Sequence, residues 1–411
     1  MQKIKTTCCV VGGGPAGMML AFLLARAGVR TVLIEKHADF LRDFRGDTVH
    51  PSTLELLYEL GLLEDFLRRP HQELGRVAAQ IGDTSLWVAD FSRLRTHARF
   101  IAFVPQWDFL SFLAEHAQKY PEFQLLMQTE AVDLVEENGR VTGVRAKAPN
   151  GDLAIAADLV VGTDGRNSIV REKAGLSVEE MGAPIDVLWL RLSRETSDPG
   201  RVLGRIDRGR MMAMLDRGEY WQCAYVIPKG SAKTLKARGI QNFRDEIARL
   251  VPYLGSRTAE IKDWDDVKLL TVKVDRLKQW YKPGLLCIGD AAHAMSPIGG
   301  VGINLAVQDA VAAANILAEA LAKGFVPILE QVQRRREFPT RITQRFQILA
   351  QDRVISQVLA SSEPIQPPFI LKLMQRWPVL QGIPARAIGL GARPEHVNTR
   401  DVHGVKETPQ G

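Results

Sequence analysis

Three glycine-bearing stretches, with the carboxylates beside them, are the residues of this chain best suited to chemistry. Val10-Val11-Gly12-Gly13-Gly14-Pro15-Ala16-Gly17 stands near the amino terminus, and Asp164-Gly165-Arg166 lies mid-chain. Gly289-Asp290-Ala291-Ala292-His293 comes later, followed by Pro297, Gly299, Gly300 and Gly302. Gly12, Gly14 and Gly17 have the G-x-G-x-x-G spacing. In that pattern the first glycine allows a tight turn, the second lets the backbone approach a pyrophosphate, and the third lets helix and strand pack closely. The amino terminus of the helix behind them favours negative charge. Glu35 lies where an acidic side chain accepts the ribose hydroxyls of a dinucleotide. NAD and FAD both satisfy this first loop.

The elements that must position these residues are legible around them. Thr6 to Val11 is a β-branched apolar run of the kind found in a central parallel strand. Pro15 can open a helix, which then runs through Met18 to Ala25, apolar nearly all round and therefore buried. Gly28 ends it, and Thr31 to Glu35 is the next strand. Val160 to Gly162 and Leu285 to Ile288 read as two more buried strands, the first leading through a polar turn to a helix near Ser168. Ligands of open α/β sheets bind beyond the carboxyl ends of the strands, so the three motifs can converge on one crevice. A helix from about Ile303 to Lys323 follows the last glycines. Residues 77–102 and 181–267 alternate in the manner of β-sheet, and Asn138-Gly139 and Asn150-Gly151 mark hairpins.

Composition narrows the classes. The 411 residues are 46% hydrophobic and 24% charged, which suits a globular protein with a substantial core. The net charge of +6 suits an anionic small molecule or an acidic membrane surface. No cationic run exceeds Arg334-Arg335-Arg336, too little to indicate nucleic acid. The four cysteines have neither disulfide nor metal-ligand spacing, and no metal is expected. With no signal-peptide core before Gly12 and no stretch of ~18 uncharged apolar residues, the expectation is a cytoplasmic protein without a transmembrane segment. Peripheral membrane contact stays open, notably through Gln366 to Pro378, as does a homodimer.

The three motifs, in this order and approximate spacing, resemble the class A (single-component) FAD-dependent monooxygenases, the group of para-hydroxybenzoate hydroxylase and the ubiquinone-biosynthesis hydroxylases. The resemblance runs from residue 1 to about 395. It implies an α/β fold: a Rossmann-like FAD domain, interrupted by an antiparallel substrate sheet and followed by carboxyl-terminal helices. The implied divisions are 1–76, 103–180 and 268–340 for FAD, 77–102 and 181–267 for substrate, 341–395 for the helices, and 396–411 for a flexible tail.

By the same resemblance, Gly12, Gly14, Pro15, Ala16, Gly17, Glu35, Lys36 and Val132 hold the ADP half of FAD. Arg45 and Gln106 reach toward the cofactor, although the arginine common near the latter in many members is absent. Asp164 shapes the cleft shared with the nicotinamide donor, while Gly289 and Asp290 bind the ribityl and pyrophosphate portion. Gly300, Gly302 and Ile303 approach the isoalloxazine ring, with Pro297 beside the carbon where oxygen adds and His50 near the flavin face. Trp189, Arg191, Trp221, Gln222 and Tyr225 are candidates for the substrate wall.

The activity implied is hydroxylation of a phenol-like aromatic with molecular oxygen and NADH or NADPH, through a flavin C4a-hydroperoxide. No second glycine motif serves the nicotinamide, which implies transient docking of the donor. Epoxidation, Baeyer–Villiger oxidation, halogenation, alkene reduction and a catalytically silent flavoprotein stay open. The halogenase element Trp-x-Trp-x-Ile-Pro is only echoed by Trp221 to Pro228, with Cys223 in place of the second tryptophan.

Overall fold

The computed structural model describes residues 2–41, 48–199 and 202–404 as a mixed α/β protein. Among these residues the main sheet has eight strands, with Gln2–Val11 at its centre. That strand pairs in parallel with Gly151–Gly162 on one side and Thr31–Ile34 on the other. Leu285–Cys287 and Phe123–Leu126 extend the parallel pairing outward. Val11 is in register with Gly162, and Gly162 with Cys287. The carboxyl ends that lead into the three glycine motifs therefore stand side by side. The central strand begins four residues before Thr6 because Gln2 to Lys5 find partners in Leu153 to Ala156 of a long hairpin strand.

Between this sheet and the later helices lies the Pro15–Arg26 helix, buried from Ala16 to Ala25. Gly17 has no room for a side chain, since a Cβ would stand 2.0 Å from the Gly12 carbonyl oxygen. The Val301–Ala322 helix crosses it, and is long and apolar enough by length and composition to span a bilayer. Asp309 and Asn304 break that apolar run, and most of the helix is packed inside the protein as a core element.

A seven-stranded sheet takes its strands from Arg76–Asp90 and from Ile185–Leu270. One face, with Leu190, Met212, Trp221 and Tyr225, packs on Phe243 and Ile247 of the Ile240–Leu250 helix. The other face, with Val187, Trp189, Met211 and Ala224, packs on Ile355 and Leu359 and on Ile298 of the glycine-rich loop. Behind the first face, the Asp198 carboxylate accepts two hydrogen bonds of 2.7 Å from Arg257 and one of 2.8 Å from the Trp221 indole. Its pKa is about 2, chiefly because of the Arg257 guanidinium.

Two boundaries differ from expectation. The division at 340 falls inside the unbroken Glu330–Ala350 helix, whose Gln347 reaches back to Ser296. The stretch from 396 to 403 is pinned down rather than loose: Arg26 donates to the Thr399 carbonyl at 2.8 Å, and His403 meets Glu122 at 2.8 Å. A short polar segment gains order here from ionic partners on the Pro15–Arg26 helix and beside Tyr120.

The deepest polar contact is a carboxylate on the core helix. Asp309 is fully buried and accepts from the Gly289 amide at 3.1 Å, from His293 Nε2 at 2.5 Å and from Arg336 Nε at 2.8 Å. Arg336 also reaches Glu395 at 3.1 Å and the Arg393 carbonyl. Burial pushes the Asp309 carboxyl up, but His293 and Arg336 outweigh it and hold it below the ordinary value.

Removing one member of such a set strands a charge in the core, which costs about 3–5 kcal/mol. Asp309→Ala is therefore expected to lower the melting temperature sharply, and a change of a degree or less in calorimetry would contradict the role given to it. A second expectation concerns acid. An unfolded aspartate titrates near ~3.9, above the value of about 2 for Asp198. The stabilisation from Asp198 is then complete above the unfolded value and lost as pH falls through the folded one. Urea midpoints of the wild type and Asp198→Asn, followed by tryptophan fluorescence, should converge as the pH is taken from 7 toward 3. A gap that does not narrow would refute the assignment.

Candidate functional site

The site is a crevice at the carboxyl ends of the parallel strands, facing the apolar side of the second sheet. Its first wall is the Gly12–Gly17 turn. Gly12 has φ +104°, and a Cβ there would lie 2.7 Å from the Thr163 carbonyl oxygen, so only glycine fits. Thr163 Oγ1 donates to the carbonyls of Val11 and Gly12 at 2.8 and 2.7 Å, tying the first motif to the second. Beyond Gly14 the space is open, with no heavy atom within 4 Å of a Cβ built there. Pro15 and Ala16 begin the helix over that opening. Glu35 is buried at the strand end, its Oε2 accepting from the Gly13 amide at 2.8 Å and its Oε1 from the His37 amide at 3.1 Å. Lys36 is exposed beside it. Val132 is half-buried in Glu130–Glu137, three residues past Thr129, whose amide donates to the Glu35 carbonyl.

The second wall comes from the mid-chain and late motifs. The Asp164 carboxylate turns into its own helix start, accepting from Ser168 Oγ at 2.5 Å and the Val170 amide at 3.1 Å. Burial pushes its pKa up. Asp290 is half-buried and pairs with Arg166 at 3.1 Å across the crevice, so Arg166 belongs to the site. Gly289, at φ +60°, fits against Ala16.

The third wall is the Pro297–Gly302 loop. Pro297 precedes a single 3-10 turn, and Gly299 and Gly300 both have positive φ. Gly300 caps the Val301–Ala322 helix, with Gly302 and Ile303 half-buried in its first turn. Neither this helix nor Pro15–Arg26 has a side-chain cap or an acidic residue in its first turn. Two helix termini without negative charge of their own, together with the open space over Gly14, fit a pyrophosphate and an electron-poor ring system. The residues present therefore fit FAD.

Asn304 binds the remaining segment to this loop. Its Oδ1 accepts from the His50 amide at 2.8 Å and Thr53 Oγ1 at 2.7 Å, while its Nδ2 donates to the carbonyls of Thr48 and Gly300. His50 itself departs from the expected catalytic role. Its side chain is fully buried ahead of Pro51, Nδ1 lies 2.9 Å from the Ile388 carbonyl, and burial lowers its pKa to about 4. The imidazole is thereby held neutral, and its Nδ1 contact ties the start of the Pro51 helix to Ile388. Gln106 opens the Gln106–Ala117 helix and is half-buried. Arg45 lies outside the described residues.

The candidate substrate residues divide between the two faces of the second sheet. Trp189, Arg191 and Gln222 are on the face that meets Ile298, because Trp189 pairs with Ala224 and Arg191 with Gln222. Arg191 is exposed over Tyr220, and Gln222 is buried, accepting from Arg217 at 3.0 Å. Trp221 and Tyr225 point the other way. They are core residues bonded to Asp198 and Glu246, an alternation that β-pleating imposes. A cavity of about 410 Å³ is lined by residues from both faces, among them Tyr225, Val226, Glu246 and Leu359, and includes none of the glycine motifs.

Thr163, Arg166, Asn304 and Asp309 carry much of this geometry and had no assigned role in the sequence. Asn304 and Asp309 did leave a signal. They are polar residues in an otherwise apolar helix, and buried polar groups must find partners.

Comparison with known proteins agrees with this geometry. The family described as "FAD binding domain" matches residues 5–345. The 6-methylpretetramide 4-monooxygenase of Streptomyces rimosus is 34% identical over 92% of this chain and 91% of its own length. The para-nitrophenol 4-monooxygenase of Pseudomonas sp. strain WBC-3 is 24% identical over 77% of this chain and 78% of its own. The crystal structure of pqsL, a probable FAD-dependent monooxygenase from Pseudomonas aeruginosa, shares the fold, with TM-score 0.72 and 22% identity over 87% of this chain and 98% of that one. These relatives do not favour the alternative flavin reactions. A crevice that fits FAD, matched along most of the chain by that family, makes this protein a member of the class A FAD-dependent aromatic monooxygenases.

Proposed function

We propose that the crevice hydroxylates a phenol-like aromatic lying between the Pro297–Gly302 loop and the Trp189 face of the second sheet. FAD held there would take hydride from NAD(P)H and supply the oxygen-activating chemistry by which one atom of molecular oxygen enters the ring and the other leaves as water. The observation that carries the reading is that Ile298, from the glycine-rich loop, packs against the same apolar cluster as Trp189 and Val187 of the second sheet. An aromatic ring there is flanked by apolar side chains that exclude water, which protects a reactive oxygen species from wasteful decay.

The chain's residues have separate tasks. Gly12 to Gly17, with Glu35, Lys36 and Val132, cradle the ADP half. Asp290 holds the ribityl and pyrophosphate region once freed from Arg166, and Gln106 reaches toward the cofactor. Asp164, folded onto its own helix start, shapes the cleft shared with the nicotinamide donor. Gly300, Gly302 and Ile303 present a positive helix terminus that favours negative charge on the reduced ring. Pro297 stiffens the loop nearest the reacting atoms. The residue divisions expected from the sequence describe this labour, with 340 replaced by the end of the long helix. The four cysteines are all free and buried, which supports a reducing, cytoplasmic setting.

Three outcomes test this reading. Asp290→Ala should lose most of its flavin through purification, and a wild-type ratio of flavin absorbance to protein would refute its role. In the wild type, NAD(P)H oxidation should rise when phenols are added, with one label from oxygen-18 gas in the product; unlabelled product would exclude hydroxylation. Trp189→Ala should raise KM for the aromatic by about tenfold, or ~1.4 kcal/mol of binding. Trp221→Phe should leave KM unchanged and lower stability, and the reverse pattern would place the substrate on the wrong face.

A further inference from the structure

The Glu330–Ala350 helix buries one side and leaves an ordered apolar stripe on the other. Phe338, Ile342, Phe346 and Leu349 are 55, 40, 62 and 53% exposed. Their spacing of four, four and three residues keeps them within about 80° around the helix. Arg334, Arg341 and Arg345 run along one flank, all exposed. Arg341 is 3.7 Å from Glu337, while Arg334 and Arg345 have no carboxylate partner among the described residues. At the amino-terminal end of the helix, Phe325, Val326 and Ile328 form an uncharged connection, each more than 60% exposed. Large apolar side chains gathered this densely on a surface mark a contact site.

We infer that this face docks on an anionic lipid surface. Apolar side chains at the crest of the helix enter the boundary of headgroups and acyl chains, and long arginine side chains beside them stay at headgroup level, where lipid phosphates supply the missing counter-charge. The net charge of +6 acts in the same direction. A second copy fits less well. An antiparallel two-fold contact sets the patch against itself, bringing the unpaired arginine flanks of both copies together. The site differs from the Gln366–Pro378 stretch to which the sequence pointed, and the inference stands independently of the proposed reaction.

The test is sedimentation of the FAD-loaded full chain with extruded vesicles at 0.1 M salt. Vesicles containing about one-third phosphatidylglycerol should pellet the protein at least tenfold more efficiently than pure phosphatidylcholine. Phe338→Ser/Phe346→Ser should abolish pelleting, and Arg341→Gln/Arg345→Gln should weaken it several-fold, with flavin content unchanged in both. No pelleting of the wild type with anionic vesicles overturns the inference. So does binding that survives both double variants, or a dimer in analytical ultracentrifugation that Phe338→Ser/Phe346→Ser dissociates.

Discussion

The structure turns on one buried carboxylate. Asp309 sits in the middle of an apolar helix with no exposed surface, where an uncompensated charge would be prohibitive. Its three partners come from two separate parts of the chain: the Gly289 amide and His293 of the late motif, and Arg336 of the following helix. Through Arg336 and Glu395 the carboxyl-terminal segment joins as well. The requirement to satisfy this single group therefore fixes where the Gly289-Asp290 turn stands relative to the core helix. The same helix begins at Gly300, so the two later cofactor loops are held to one rigid element.

A comparable economy governs the other side of the crevice. Thr163 bonds to the carbonyls at the end of the first strand, and Asn304 uses both ends of its amide to join residues 48–53 to the Gly300 turn. These contacts are made by small uncharged side chains and satisfy backbone groups that a tight turn would otherwise bury unpaired. The glycines then have a definite function. At Gly12 and Gly17 they let chain segments touch, whereas at Gly14 they leave space that a ligand can enter. Rigidity behind the loops and openness in front of them are what a cofactor site requires.

The second sheet shows how a buried strand can serve two purposes at once. Residues of Tyr220–Pro228 alternate between a sealed core behind the sheet and the face turned toward Ile298. Trp221 is thereby committed to Asp198 and Arg257, and its neighbour Gln222 is on the working side. Gln347 of the Glu330–Ala350 helix and Gln351 just past its end hold the Ser296 backbone and hydroxyl, and Ile355 and Leu359 further along pack on the face turned toward Ile298. Second sheet and glycine-rich loop are thus tied by the same stretch of chain, so their relative placement is a property of the packed whole.

The sequence by itself determined the three motifs with their strands and helices, because glycine spacing and apolar periodicity are local properties, and FAD followed from the family those motifs resemble. Alternation, which survives without knowledge of partners, marked 77–102 and 181–267 as sheet, and the strands of the second sheet lie within Arg76–Asp90 and Ile185–Leu270. Which face of that region meets the cofactor was not legible. In Trp221 and Tyr225 the aromatic character is plain, but their direction depends on strand register and on what packs behind them. His50 is a similar case: its residue type is plain in the sequence, but its burial beside the Ile388 carbonyl, which lowers its pKa, follows only from packing. The ionic set around Asp309 joins residues from 289 to 395, and the anchored end at 399–403 joins the first helix. Such contacts arise from long-range packing, and no local pattern encodes them.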